Sequence, residues 1–311
     1  MIIQKKKESF GVRLLKNIKK HWILYLMITP VVLYYVIFSY VPMYGVLLAF
    51  KDYQIKKGIL GSPWVGFEHF QRFFSAYDFE RLLMNTIGLS VYGMLAGFPI
   101  PIIFALMLNY LRHTKLKKVI QMVSYAPYFI STVVICGMIT IFMSQDSSIF
   151  NVFRGFFGLE PVNFLAKAEW FKHIYVWSGI WQGMGWSSII YISALAGVDY
   201  EMHEAAIVDG ATKIQRMIHV DLPSIKPTIL MLLILQMGGL LGVGFEKVYL
   251  LQNSLNRSAA SVISTYVYEV GLIHSDYGYS TAVGLFNSVI SLILVVGSNQ
   301  LSKKFAGESL F

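Results

Sequence analysis

Long apolar runs alternate along this chain with shorter polar stretches, and the runs lack the strict two-residue or 3.6-residue patterning of half-exposed elements in a soluble fold. Six of them approach or exceed the roughly 20 residues needed to cross a hydrocarbon core of about 30 Å at about 1.5 Å per residue. They run from Trp22 to Val41, Leu83 to Asn109, Val119 to Met143, Ile174 to Gly197, Pro227 to Phe245 and Tyr279 to Leu301. Pro30, Pro99, Pro101 and Pro127 lie in or beside these runs, where neighbouring helices can support the backbone groups a proline frees. The pattern predicts an all-α polytopic membrane protein with six transmembrane helices. Ahead of the first run, Phe10, Leu14, Leu15 and Ile18 recur at helical spacing among lysines and arginine, which predicts a basic amphipathic helix on the membrane surface. The run from Trp22 is too long for a signal-peptide core and is followed by bulky aromatics rather than a small-residue cleavage site.

Composition agrees with the pattern. Of 311 residues, 56% are hydrophobic and 14% charged, with a mean hydropathy of +0.57, well beyond a soluble domain. The net charge of +9 is not a nucleic-acid footprint, because no nucleic-acid motif accompanies it. It is a topology signal instead. Of the 26 Lys and Arg, 16 fall in the N-terminal arm (Lys5, Lys6, Lys7, Arg13, Lys16, Lys19, Lys20), the segment after the second run (Arg112, Lys115, Lys117, Lys118), the segment after the fourth (Lys213, Arg216, Lys226) and the tail (Lys303, Lys304). The positive-inside rule then places both termini in the cytosol. Residues 1–21 become a cytosolic amphipathic segment, 22–302 the transmembrane domain and 303–311 a cytosolic tail. Cys136, the single cysteine, lies in an apolar run and reads as a small packed hydrophobe; one cysteine offers neither a disulfide framework nor a metal site.

The polar stretch between the fourth and fifth runs, residues 200–223, reads YEMHEAAIVDGATKIQRMIHVDLP. Two helix-grade pieces, Glu201 to Asp209 and Thr212 to Val220, meet at Gly210, a residue able to take the left-handed conformation of a sharp helix end. Pro223 stops the second piece and Pro227 opens the next run. The stretch is a helix, turn and helix protruding on the cytosolic side.

Glu204, Ala205, Ala206, Asp209, Gly210 and Ala211, followed by Leu222 and Pro223, resemble the EAA loop of ABC importer permeases. Met217 stands where that family often has Phe and Val220 where it has Ile, and both changes keep an apolar side chain. The start of the first run, the segment Ile263 to Tyr268 and the segment Tyr277 to Gly284 are similar to the carbohydrate and polysaccharide branch of these permeases in Gram-positive bacteria. The resemblance implies a type I ABC importer permease fold in the cell membrane. It implies coupling helices that dock on a cytosolic ATPase, with Glu204 pairing a basic partner residue; Ile207, Met217 and Ile218 would supply apolar surface. It implies a second homologous permease, two ATPase subunits and an extracellular solute-binding lipoprotein as partners. ATP and Mg would be bound by the ATPases, with no cofactor and no catalytic or metal-binding residue in this chain.

The energy source is also read directly. No Asp, Glu, Lys, Arg or His lies in the core of any run, so the ionisable relays of proton-coupled transporters are missing. The chain has no GxxxxGK[ST] phosphate loop of its own. A path for an uncharged sugar needs hydrogen bonds without fixed charge, and Asn85, Trp181, Gln182, Trp186, Ser187, Tyr191, Gln236 and Asn287 are the polar and aromatic candidates within the runs. The small-residue pairs Gly93 and Gly97, and Gly238 and Gly242, read as close helix contacts. A permease for another solute, such as a peptide, shares every general feature. A polytopic membrane enzyme would need titratable side chains converging at one depth, and the runs offer none.

Overall fold

The computed structural model describes residues 10–145 and 148–306, so Lys5, Lys6, Lys7 and the tail beyond residue 306 lie outside the described residues. Among the described residues every regular element is helical, and one isolated antiparallel bridge joins Lys51 and Trp64.

Helix α1, Phe10–Lys20, carries the basic N-terminal pattern and gives way at His21 to α2, Trp22–Phe50. The expected span ended at Val41; the helix instead runs on to Phe50. Pro42 is accommodated because a π turn, Val36–Tyr40, widens the ladder just before it. The apolar side chains of α2 are largely uncovered, which suits a hydrocarbon environment. After it, the Phe50 and Trp64 rings stack at 5.5 Å between centroids, and α3, Glu68–Phe74, carries Phe73 into a cluster with Leu82, Ile263, Tyr279 and Val283. These contacts make the segment between α2 and α4 a small cap packed on the bundle.

Helix α4, Phe79–Asn109, is 31 residues long and holds Pro99 and Pro101 just after a turn at Phe98. The third run is not one straight span. It divides into α5, Thr114–Phe129, and α6, Thr132–Phe142, which meet at 98°. Pro127 withholds an N–H near the end of α5, and Ser131 caps α6 by accepting from the Val134 N–H. The carbonyl of Ile130, freed at the bend, accepts a bond from Gln182 Nε2 at 3.1 Å.

Helix α7, Ala168–Ala196, is the hub. At 29 residues it is long enough to span, although its Gly, Ser, Gln and Trp content makes it less apolar than the others. It packs on α4 and α5, and buries Phe171, Ile174, Val176, Gly185, Ser188, Tyr191 and Leu195. Beyond it come α8, Tyr200–Val208, α9, Lys213–Ser224, and α10, Lys226–Gly238, with a 63° bend between α9 and α10. Pro223 does not end the second helix of the island, because it sits in a short helical turn after a π turn at Met217–Asp221; the break falls at Ile225. The fifth run also ends early. Helix α10 stops at Gly238, about 20 Å of helix at about 1.5 Å per residue, and residues 239–244 form a glycine-rich turn.

The stretch after it packs into the bundle. Helix α11, Phe245–Leu251, folds back against α6, and Val248, Leu251, Ala260 and Val262 are buried in the core that α7 organises. Irregular backbone at such depth must have its polar groups satisfied, and asparagines supply the bonds. Asn256 Nδ2 donates to Leu165 O at 2.9 Å and Leu251 O at 3.1 Å, Asn253 Nδ2 donates to Leu165 O, and Asn85 Nδ2 donates to Ser258 O at 2.8 Å and Ser261 O at 3.1 Å. Helices α12, Ile263–Ile273, and α13, Tyr277–Ala306, complete the chain; α13 packs on α10 and on the end of α2.

Helices α5 and α7 approach closely at Gly185. A Cβ added at Gly185 would lie 2.2 Å from the Ser124 carbonyl oxygen, so only glycine fits. Gly185→Ala is expected to cost at least about 1–3 kcal/mol, as overpacking against backbone does, and to lower the thermal unfolding midpoint in detergent. Gly137→Ala, which adds a methyl to open space, should leave it within a degree or two.

Candidate functional site

The polar island folds into two capped helices. Asp199 caps α8 by accepting from the Glu201 N–H at 3.0 Å. At its other end Gly210 has φ +79°, with the Ala211 N–H donating to Ala206 O at 2.9 Å and the Gly210 N–H donating to Ile207 O at 3.0 Å. That pair of bonds is the Schellman arrangement, which needs a left-handed residue at Gly210. Thr212 and Gln215 then form a capping box at the start of α9: the Gln215 N–H donates to Thr212 Oγ1, and the Thr212 N–H donates to Gln215 Oε1 at 2.8 Å.

The π turn Met217–Asp221 rotates Asp221 inward, where it is 0% exposed. Tyr110, at the end of α4, donates its hydroxyl to Asp221 Oδ2 at 2.6 Å, and His203 of α8 brings Nε2 to 3.2 Å from Oδ1 without the alignment of a hydrogen bond. Arg216 lies over the Tyr110 ring at 5.5 Å. Burial, and then the bond to Asp221, push the Tyr110 phenol well above its ordinary range, so it remains a neutral donor. One carboxylate thereby joins α4, α8 and α9. Asp221, Tyr110 and His203 were not among the residues singled out from the sequence; an aspartate before Leu-Pro has no periodic signature, and its phenol partner is 111 residues away.

Of the island residues expected to matter, Glu204, Ala205, Asp209, Gly210 and Pro223 are exposed, while Ala206, Met217 and Leu222 are half-buried. The most exposed apolar side chains at the tip are Val208 at 87% and Ile214 at 67%, with Ile207, Met202 and Ile218 beside them. Met217 is turned partly inward, so the apolar surface centres on Val208 and Ile214, which flank the Gly210 turn. An uncovered apolar tip on a rigid, capped support is suited to insertion into a partner's groove.

The polar candidates divide. Gln182, Trp186, Ser187, Tyr191 and Gln236 line two adjoining cavities of about 290 and 550 Å³ that share Gly97, Pro101, Ser187 and Gln236. They form one groove between α4, α7 and α10. On α7 its residues Tyr175, Gly179, Gly183, Ser187 and Tyr191 follow one another four apart, a row that winds gradually around the helix. Trp186 also stacks on Tyr128 at 4.6 Å, which ties the groove wall to the bend after α5. Asn85 does not face the groove, because its amide is committed to the Ser258 and Ser261 carbonyls. Trp181 is on another face of α7, over an apolar cavity with Ile135, Met138 and Phe142. Asn287 of α13 lines neither groove cavity. Gly93 and Gly97 line the groove, where an added Cβ would meet Val176 and Ile180 at ordinary contact distance, whereas a Cβ at Gly238 would come to 2.8 Å from Val295.

With this geometry in hand, comparison with known proteins decides the family. Residues 97–306 match the model of the binding-protein-dependent transport system inner membrane component. The chain belongs to that family. It is 45% identical to Protein LplB of Bacillus subtilis (strain 168) over 301 residues, 97% of this chain and 95% of that protein. It is 44% identical to the polygalacturonan/rhamnogalacturonan transport system permease protein YteP of the same organism, over 98% of this chain and 95% of that one. Its fold is similar to a chain of a bacterial alginate ABC transporter crystallised with an alginate pentasaccharide-bound periplasmic protein, at TM-score 0.89 and 38% identity, covering 96% of this chain and 100% of that one. The family supplies a membrane-embedded transport component, with ATP hydrolysis on separate subunits.

Proposed function

We propose that this chain is the permease subunit of an ATP-driven importer that moves an oligosaccharide or polysaccharide fragment across the cell membrane. The observation that carries this reading is the pairing of a rigid, apolar-tipped island with a groove of hydrogen-bonding and aromatic side chains along α7. Trp186, Gln182, Ser187 and Gln236 offer ring faces and hydrogen bonds, the chemistry a sugar requires. Two similar proteins support the substrate class: one is described as a polygalacturonan/rhamnogalacturonan permease, the other as an alginate importer.

In this account residues 22–302 form the permease domain, with a second permease enclosing the path, two ATPases inside and a solute-binding lipoprotein outside. ATP-driven closure of the ATPases moves the island, with Glu204 held by a basic partner residue and Val208 and Ile214 seated in the groove of the ATPase. Since α8 and α9 are joined to α4 through Asp221, that displacement passes into the spans. Both termini and the island lie in the cytosol, in keeping with the distribution of lysine and arginine.

Orientation is tested with single-cysteine variants in intact cells. A membrane-impermeant maleimide is expected to label Leu255→Cys, which is exposed, and to reach Ile214→Cys only after permeabilisation; the reverse would invert the topology. Coupling is tested with Glu204→Lys, which places a cation against a basic partner, a reversal that costs several kcal/mol at interfaces. The variant should insert and bind its partner permease, yet lose ATPase pull-down and ATP-dependent uptake in proteoliposomes. Normal ATPase retention and uptake would contradict the coupling role.

A further inference from the structure

The groove is not free of charge. Lys247 belongs to α11, outside every apolar run, but the fold-back of that helix brings its ammonium into the bundle. Its Nζ donates to Tyr175 O at 3.0 Å, stands 5.0 Å from the centre of the Tyr175 ring, and lies 3.3 Å from where a Cβ on Gly179 would be. Among the described residues that line the two groove cavities, Lys247 is the one charged side chain, and no ion pair engages it. An ammonium has three donors, and the single protein bond, to Tyr175 O, leaves two for another partner. Holding a cation in a low-dielectric bundle without a counter-ion is costly, and such groups are kept where function uses them.

Its position in the groove adds to this. The groove follows α7 from Tyr175 to Tyr191, about 24 Å at about 1.5 Å per residue. Lys247 is at the end far from the island. Lys172, one turn before Tyr175 and Val176 on α7, brings its Nζ to 3.0 Å from the place of a Cβ on Gly88, so a second cation stands beyond the first along α4 and α7. Ammonium groups at this end of α4 and α7 attract an anionic chain, and the other polar groups that line the groove are neutral. They give a neutral chain only hydrogen bonds.

We infer that Lys247 is a specificity-determining residue of the translocation path and binds a sugar carboxylate, so that the path takes uronate-containing oligosaccharides in preference to neutral ones. This rests on the reading of the chain as a saccharide-importing permease. A carboxylate is the anion a saccharide fragment carries most directly, and a charge-assisted bond from an ammonium is about twice as strong as a neutral one.

The test uses proteoliposomes holding the complete importer with its binding protein, and four labelled probes: trigalacturonate, alginate trisaccharide and the carboxyl-reduced derivative of each. Maltotriose serves as an unrelated neutral sugar. At least one acidic probe is expected to be imported, with its carboxyl-reduced form at least about tenfold poorer. Lys247→Met should raise the half-saturating concentration for the acidic probe about tenfold, and Lys247→Arg, which keeps the charge, should restore it to within about twofold. Because the binding protein is the same throughout, a difference between variants is assigned to the path. Equal import of acidic and reduced probes by the natural chain overturns the inference even if no variant assembles. So does an unchanged Lys247→Met, or import of maltotriose or reduced probes alone, and in those cases saccharide import itself still stands. Import of none of these saccharides overturns both the inference and the function on which it rests.

Discussion

A single buried carboxylate holds the polar island to the helical bundle. Asp221 is 0% exposed, accepts the Tyr110 hydroxyl at 2.6 Å and has His203 at 3.2 Å, so helices from three parts of the chain meet on one side chain. Burying a carboxylate is unfavourable unless it is paired and hydrogen-bonded, and removing one partner leaves an uncompensated charge. The same energetics make the arrangement stiff. A different position of α9 relative to α4 would cost Asp221 its bond to Tyr110. The Schellman turn at Gly210 and the capping box at Thr212 do the same locally, satisfying the helix-end groups that would otherwise fray.

Above the island, the bundle reconciles close packing with an open path. Gly185 lets α5 reach α7 on one face, while another face of α7 carries the groove with Gly179, Gly183, Ser187 and Tyr191. The bend between α5 and α6 would leave the Ile130 carbonyl unpaired, and Gln182 satisfies it from the groove wall. The segment after α10 is irregular yet packed, and it is tolerated at depth because Asn85, Asn253 and Asn256 bind its carbonyls and those of its neighbours. That segment delivers Lys247 to the groove.

The helical membrane architecture was legible in run length and composition, and the island was legible because its signals are local: a left-handed glycine, a capping pair and the EAA spacing all lie within residues 200–223. What escaped was non-local. The run Val119 to Met143 reads as unbroken, and its 98° bend depends on Ser131 and on Gln182 from another helix. Asn85 has the polarity of a path residue, and only the fold shows that the amide is occupied by Ser258 and Ser261. Lys247 lies just past the end of a run, where sequence assigns it to an outer loop; the fold-back of α11 is a tertiary event that hydropathy cannot express. Met217 belongs to the π turn that carries Asp221 inward and is itself half-buried, whereas Val208 and Ile214 stand exposed on either side of Gly210, a division that spacing alone does not express.

The central claim is that Asp221 makes the island a lever fixed to the spans, and the most direct measurement is the number of substrate molecules imported per ATP hydrolysed by reconstituted importers carrying Tyr110→Phe. That change removes the hydroxyl bonded to a buried carboxylate, a loss of about 1.5–3 kcal/mol, while leaving the exposed apolar tip at Val208 and Ile214 untouched. The ATPases are expected to remain bound and to hydrolyse ATP, with import per ATP reduced several-fold. An unchanged ratio in a stably inserted Tyr110→Phe importer would contradict the claim, and the island's grip on the spans would have to lie elsewhere.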